Sequence, residues 1–111
     1  MTEQVDAEDA KLLVLARGAA ARIQASEGAA VRDETGRTYS SADVTLGERT
    51  WSALDLAVAQ AAAAGARGLE AAVVVTDNEA TDVEVVRALA GVGVPIYLSS
   101  ASGTIMAVLR S

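Results

Sequence analysis

The chain has 111 residues, enough for a single domain over 1–111 that buries roughly two thirds of the surface its unfolded form exposes. Hydrophobic residues make up 51% but aromatics only 3%, so the core has to be assembled from Ala, Val and Leu. A formal net charge of -6 opposes a nucleic-acid backbone or an anionic membrane surface, and the absence of Cys and His removes the thiolate nucleophile, the usual general base and the commonest zinc ligands.

The N-terminal stretch MTEQVDAEDA is acidic and polar where a secretion signal is basic and then apolar. No apolar run approaches the ~18 residues of a membrane helix, so the expected location is the cytoplasm, with no membrane partner. From Asp6 to Ala25, Leu12, Leu15 or Ala16, Ala19 and Ile23 recur at helical spacing, which predicts a first helix. Asp6, Glu8 and Asp9 crowd its first turn, where they favour the helix dipole and read as solvated end charges. Between Gly28 and Val44, GAAVRD and RTYSSADV flank Glu34-Thr35-Gly36, the pattern of a β-hairpin. Thr45 to Arg49 reads as a short loop.

Thr50 to Gly65 reads as the central helix, with Thr50 or Ser52 as cap and Gly65 as stop. Leu54, Ala57, Val58 and Ala61 form its buried stripe. The run of Ala from 61 to 64 leaves almost no polar face in the last turns, so the helix is expected to be covered on both sides, partly by another subunit. Leu69 to Thr76, a continuous run of small and β-branched residues, predicts a central strand buried on both faces. Thr81-Asp82-Val83-Glu84 matches a capping box for a helix reaching Gly91. Strands follow over Ile96 to Ser99 and Thr104 to Leu109, joined by the turn Ala101-Ser102-Gly103. The order α-β-β-α-β-α-β-β implies an α/β domain with about five strands in a mixed sheet and helices on its faces.

Taken in order, Gly28-Ala-Ala-Val, Thr35-Gly36-Arg-Thr-Tyr39, Asp43-Val44, the helix ending in Gly65, the strand AAVVVT and Val94-Pro-Ile-Tyr-Leu98 resemble the cytidine deaminase family. The resemblance covers roughly Gly28 to Leu98. It implies a three-layer αβα sandwich and a homodimer or homotetramer whose subunits complete one another's sites. It also implies zinc, held by Cys-Ala-Glu or His-Ala-Glu at the start of the second helix and Pro-Cys-x-x-Cys at the start of the third, with the Glu moving the proton. Aligned back from Gly65, the first ligand position falls on Ser52 and the Glu position on Leu54. Aligned back from Leu89, the two later Cys positions fall on Asp82 and Val85, with Thr81 for Pro. Every catalytic position departs from the pattern, so the expectation is a member with no catalytic residues, no metal and no cofactor. The nucleoside-binding shell departs too, with Asp43-Val44-Thr45 in place of Asn-x-Glu and no aromatic before Glu27-Gly28.

Three functions remain. The first is a catalytically inactive, zinc-less protein acting as an oligomeric scaffold or partner-binding module. The second is a binding protein that keeps the old cavity for a nucleoside-like molecule, using Asp43, Thr45, Ser52 and Trp51. The third is an enzyme with unrelated carboxylate chemistry at Asp43, Asp77 or Asp82, which requires a carboxylate with a raised pKa in a cleft. Asp77, Glu79 and Asp82 follow the central strand, where open α/β sheets place ligands, but acids at a helix N-terminus are explained by the dipole and by capping. Ser99, Ser100 and Ser102 have no His to activate them and Lys11, the one lysine, lies far along the chain, so they read as turn residues. Gly91-Val-Gly93 precedes a strand and makes no dinucleotide fingerprint.

Overall fold

In the computed structural model, which describes residues 6–111, the chain runs α1 (Ala7–Arg22), β1 (Gly28–Asp33), β2 (Thr38–Ala42), β3 (Val44–Leu46), β4 (Arg49–Trp51), α2 (Ala53–Ala63), β5 (Leu69–Val75), α3 (Glu84–Ala90), β6 (Pro95–Ser99) and β7 (Ile105–Arg110). One five-stranded sheet has the order β2-β1-β5-β6-β7, with β5 and β6 parallel and the other neighbours antiparallel. α3 makes the crossover that a parallel pair requires. α1 packs on one face of the sheet and α2 and α3 on the other, the αβα sandwich expected from the sequence.

Asp6 caps α1, its Oδ1 accepting from the Asp9 amide at 2.8 Å. The buried line of α1 is Asp9, Leu12, Ala16 and Ala19, and it is narrower than the spacing suggested, because Leu15 is 38% and Ile23 57% exposed. The helix backbone lies so close to β1 that a Cβ on Gly28 would overlap the Ala16 carbonyl, which leaves room only for small side chains along the contact. Asp9 is also not the solvated end charge it resembled. It is 4% exposed and pairs with Arg32 at 2.8 Å, while Arg32 Nε donates to Glu70 at 2.7 Å. A bulge in β5 opposite Arg32 and Asp33 sets Glu70 out of the alternation and turns it toward that guanidinium. Burial opposes the charge on Arg32, but its bonds to Glu70 and Asp9 outweigh burial and hold its pKa above the ordinary value.

The β1–β2 turn is organised by Asp33, which is buried at the end of β1. Its carboxylate accepts from the Thr35 hydroxyl at 2.7 Å, the Thr35 amide at 2.8 Å, the Tyr39 hydroxyl at 2.9 Å and the Arg37 amide at 3.0 Å. The Thr35 hydroxyl, acting against burial and joined by the other donors, brings the Asp33 pKa down to about 2.

Thr45 to Arg49, expected to be a loop, instead folds into a second hairpin. Val44 pairs with Trp51, Thr45 with Thr50 and Leu46 with Arg49 across a two-residue turn. Gly47, at φ 63, takes the left-handed position such a turn needs. Strands of three residues are too short to display a period in sequence.

α2 buries Ala53, Leu54, Ala57, Val58 and Ala61, the expected stripe, but Ala62, Ala63 and Ala64 are exposed, so the chain itself covers only one side of this helix. Alanine tolerates this because it favours the helix and exposes a single methyl. β5 is buried at six of its seven positions, as a central strand should be. α3 begins at Glu84 with Val83 as its cap residue and no side-chain cap, so the capping box does not form. The Thr81 hydroxyl donates to the Asn78 carbonyl at 2.7 Å, and Asp82 accepts from the Glu84 amide at 2.9 Å. Among the described residues no helix is long and apolar enough to cross a membrane.

Candidate functional site

α2 and α3 lie side by side and both start from the edge where β2 and β5 end, so their first turns are the natural place for chemistry in this sheet. Ser52 is the N-cap of α2, and its Oγ accepts from the Asp55 amide at 3.0 Å. Leu54, two residues on, is 1% exposed and sits in the apolar cluster with Ala57, Val58, Val74, Val86 and Ile96. Val85 packs against the same cluster. Asp82 is exposed, with Oδ1 on the Glu84 amide. Of the four positions singled out in sequence, Leu54 and Val85 therefore meet in one hydrophobic interior. Ser52 and Asp82 each serve a backbone amide.

This donor set does not fit zinc. A hydroxyl occupied as a helix cap, an exposed carboxylate and two aliphatic side chains supply neither thiolate nor imidazole. Among the described residues no group of three His, Cys, Asp or Glu side chains is arranged to hold a metal ion. Leu54 has no group to exchange a proton.

The candidate binding residues separate. Asp43 is tied into the loop before β1. Its Oδ1 accepts from the Glu27 amide at 2.9 Å, and its Oδ2 accepts from the Ser26 hydroxyl at 3.1 Å. Thr45 faces Thr50 across the small hairpin with hydroxyl oxygens 3.2 Å apart, and Trp51, at the end of β4, is half-buried. Asp77 and Glu79 are exposed beyond β5. The turn serines act as the sequence suggested: Ser100 and Ser102 hydroxyls lie 2.9 Å apart, the Thr104 amide donates to Ser100 Oγ at 3.2 Å, and buried Ser99 donates to the Ser100 carbonyl at 2.8 Å.

One polar link escaped the sequence reading. Thr76, 2% exposed at the end of β5, donates to Glu27 Oε2 at 2.6 Å and accepts from the Asn78 amide at 3.0 Å. Together with Asp43 it ties the entry to β1, the exit of β2 and the exit of β5 into one latch. Glu27 and Thr76 are 49 residues apart, and nothing in either segment marks the pair.

Away from these helices, on the α1 side, an open trough of about 700 Å³ runs between α1 and the β6–β7 turn. Val14, Arg17, Gly18, Ala21, Val75 and Ala101 are among the residues that line it.

A family model described as cytidine deaminase-like matches residues 5–103. Among solved structures, the cytidine deaminase from Burkholderia pseudomallei superposes with a TM-score of 0.74 over 89% of this chain and 89% of that chain, at 20% sequence identity. At that identity the likeness speaks for the fold. Comparison with curated proteins gives no significant sequence match.

Proposed function

The chain belongs to the cytidine deaminase-like family, and on that premise we propose that it does not deaminate and works as an oligomeric scaffold or partner-binding module in the cytoplasm. One observation carries this reading. Leu54 stands where the family resemblance places the proton-carrying carboxylate, and it is 1% exposed within the core. The absence of Cys and His from the whole chain supports the same reading, because no register supplies a soft or imidazole ligand. The apolar surface left to solvent supports association: Val92 is 80% and Leu46 65% exposed, and α2 presents Ala62 and Ala63 outward. Assembly is a homodimer or homotetramer, with a protein partner as the further option.

The test joins elemental analysis, cytidine turnover and light scattering behind size exclusion. The expected result is a protein without stoichiometric zinc, without turnover, and with a mass of two or four chains. Zinc with turnover overturns the inactive reading, and a monomer with no partner overturns the scaffold. Thermal stabilisation by a nucleoside, lost on changing Thr45 and Trp51, would replace the scaffold with a binding role.

A further inference from the structure

We propose that the trough between α1 and the β6–β7 turn is a binding site for a small amphipathic carboxylate, with the head on Arg17 and the apolar body along Val14, Ala21, Val75 and Ala101. It lies on the face of the sheet opposite α2 and α3 and does not depend on the scaffold reading. Its volume, about 700 Å³, falls within the roughly 300–1,000 Å³ typical of small-ligand sites. The walls are apolar but thinly filled: Gly18, Ala21 and Ala101 contribute little bulk, and Val14 is 71% exposed at the rim.

Charge selects the kind of head group. Among the described residues Arg17 makes no ion pair and no hydrogen bond, and of the cations without an ion pair it is the one that lines the trough. Its guanidinium lies against the β6–β7 turn, because a Cβ on Gly103 would come within 3.1 Å of Arg17 Nη1. The hydroxyls of Ser100 and Ser102 belong to that same turn. At the other end, Ser26 lines the trough and is held by Asp43, with Glu27 next in the chain. An anion is repelled from that end and attracted to the Arg17 end, so the site has a direction. Arg17 and Ala21 are four residues apart on α1, about 6 Å along the helix, and the lining continues past Ala21 to Ala25, which gives a medium-length alkyl chain room beyond the head. A carboxylate accepting from a guanidinium is a charge-assisted contact that a neutral alcohol of equal length lacks.

The experiment is a two-dimensional amide NMR titration of the full chain with octanoate, with octan-1-ol and a short peptide ending in a free carboxylate as separate arms. Octanoate is expected to give saturable shifts confined to Gly18, Ala21, Val75 and Ala101. Arg17→Gln should weaken binding at least about fivefold, the loss of one charge-assisted contact at a partly wet site. Ala21→Leu, an exposed substitution that leaves the core untouched, should weaken it by closing the trough. Equal binding of octan-1-ol, or an unchanged affinity in Arg17→Gln, overturns the assignment of a carboxylate. Peptide binding at the trough without octanoate binding overturns the small-ligand assignment. An absence of saturable shifts overturns the site altogether.

Discussion

The two faces of the sheet have gone opposite ways. On the α2 and α3 face, where the family resemblance places its chemistry, Leu54 and Val86 are buried in a continuous apolar interior and the polar atoms nearby serve the backbone. On the α1 face, the core is smaller, a buried ion pair links helix to sheet, and a trough stays open. The contrast teaches that two faces of one sheet can divide their roles, one closed by hydrocarbon and the other left open. A buried position without a charge to hydrate is most stable when hydrocarbon fills it.

The sharpest way to break this comparison is Leu54→Glu, which returns the carboxylate the resemblance expects. If the interior is as closed as Leu54 at 1% exposure implies, the substitution should cost about 3–5 kcal/mol, the range for an uncompensated buried charge. Urea denaturation measures it, and a cost below about 1 kcal/mol would mean that this face still admits water.

The α1 face is tested next. Arg32→Leu leaves Asp9 buried without its cation, and the expected loss is about 3 kcal/mol. Asp9→Leu combined with Arg32→Leu should recover most of that loss, since removing both charges also removes their desolvation. Failure of the double variant to recover would show that Glu70 and the bulge that presents it, not the pair, carry the stability.

The smallest effect concerns Asp33, in the turn between two strands of the same sheet, and it appears only in acid. Its folded pKa of about 2 lies below the ordinary 3.8, so its contribution is complete above the unfolded value and is lost as pH falls from about 4 through about 2. The urea midpoint should decline over that window in the wild type and decline less in Asp33→Asn. Equal slopes would mean that the turn's donors do not discriminate the charged form.

Most of the architecture was legible before the structure. β5 announced itself as a buried central strand because LEAAVVV contains little else, and Ser52, Asp55 and Gly65 marked the limits of α2 by capping chemistry that acts within a few residues. The β3–β4 hairpin was missed because three-residue strands carry no readable period, although Gly47 was the signal available. The capping box at Thr81 failed because the local pattern admits a competing turn, and Thr81 bonds back to Asn78 instead. At the candidate site, the lack of zinc ligands was plain from residue types alone. That Leu54 would be buried was legible too, in the apolar stripe of α2, whereas the tie of Asp43 to Ser26 and Glu27 was not.

The division follows from the range of the forces. The sequence by itself determined the main helices and the strands of the large sheet, the cap of α2 and the absence of Cys and His, because periodicity, capping and residue identity are local or compositional. Only the tertiary structure decided that Asp9 is buried against Arg32, that Glu27 meets Thr76 across 49 residues, that one side of α2 faces solvent, and that the open space lies beside α1. Those outcomes depend on which surfaces approach one another, and burial and charge pairing take their value from that approach.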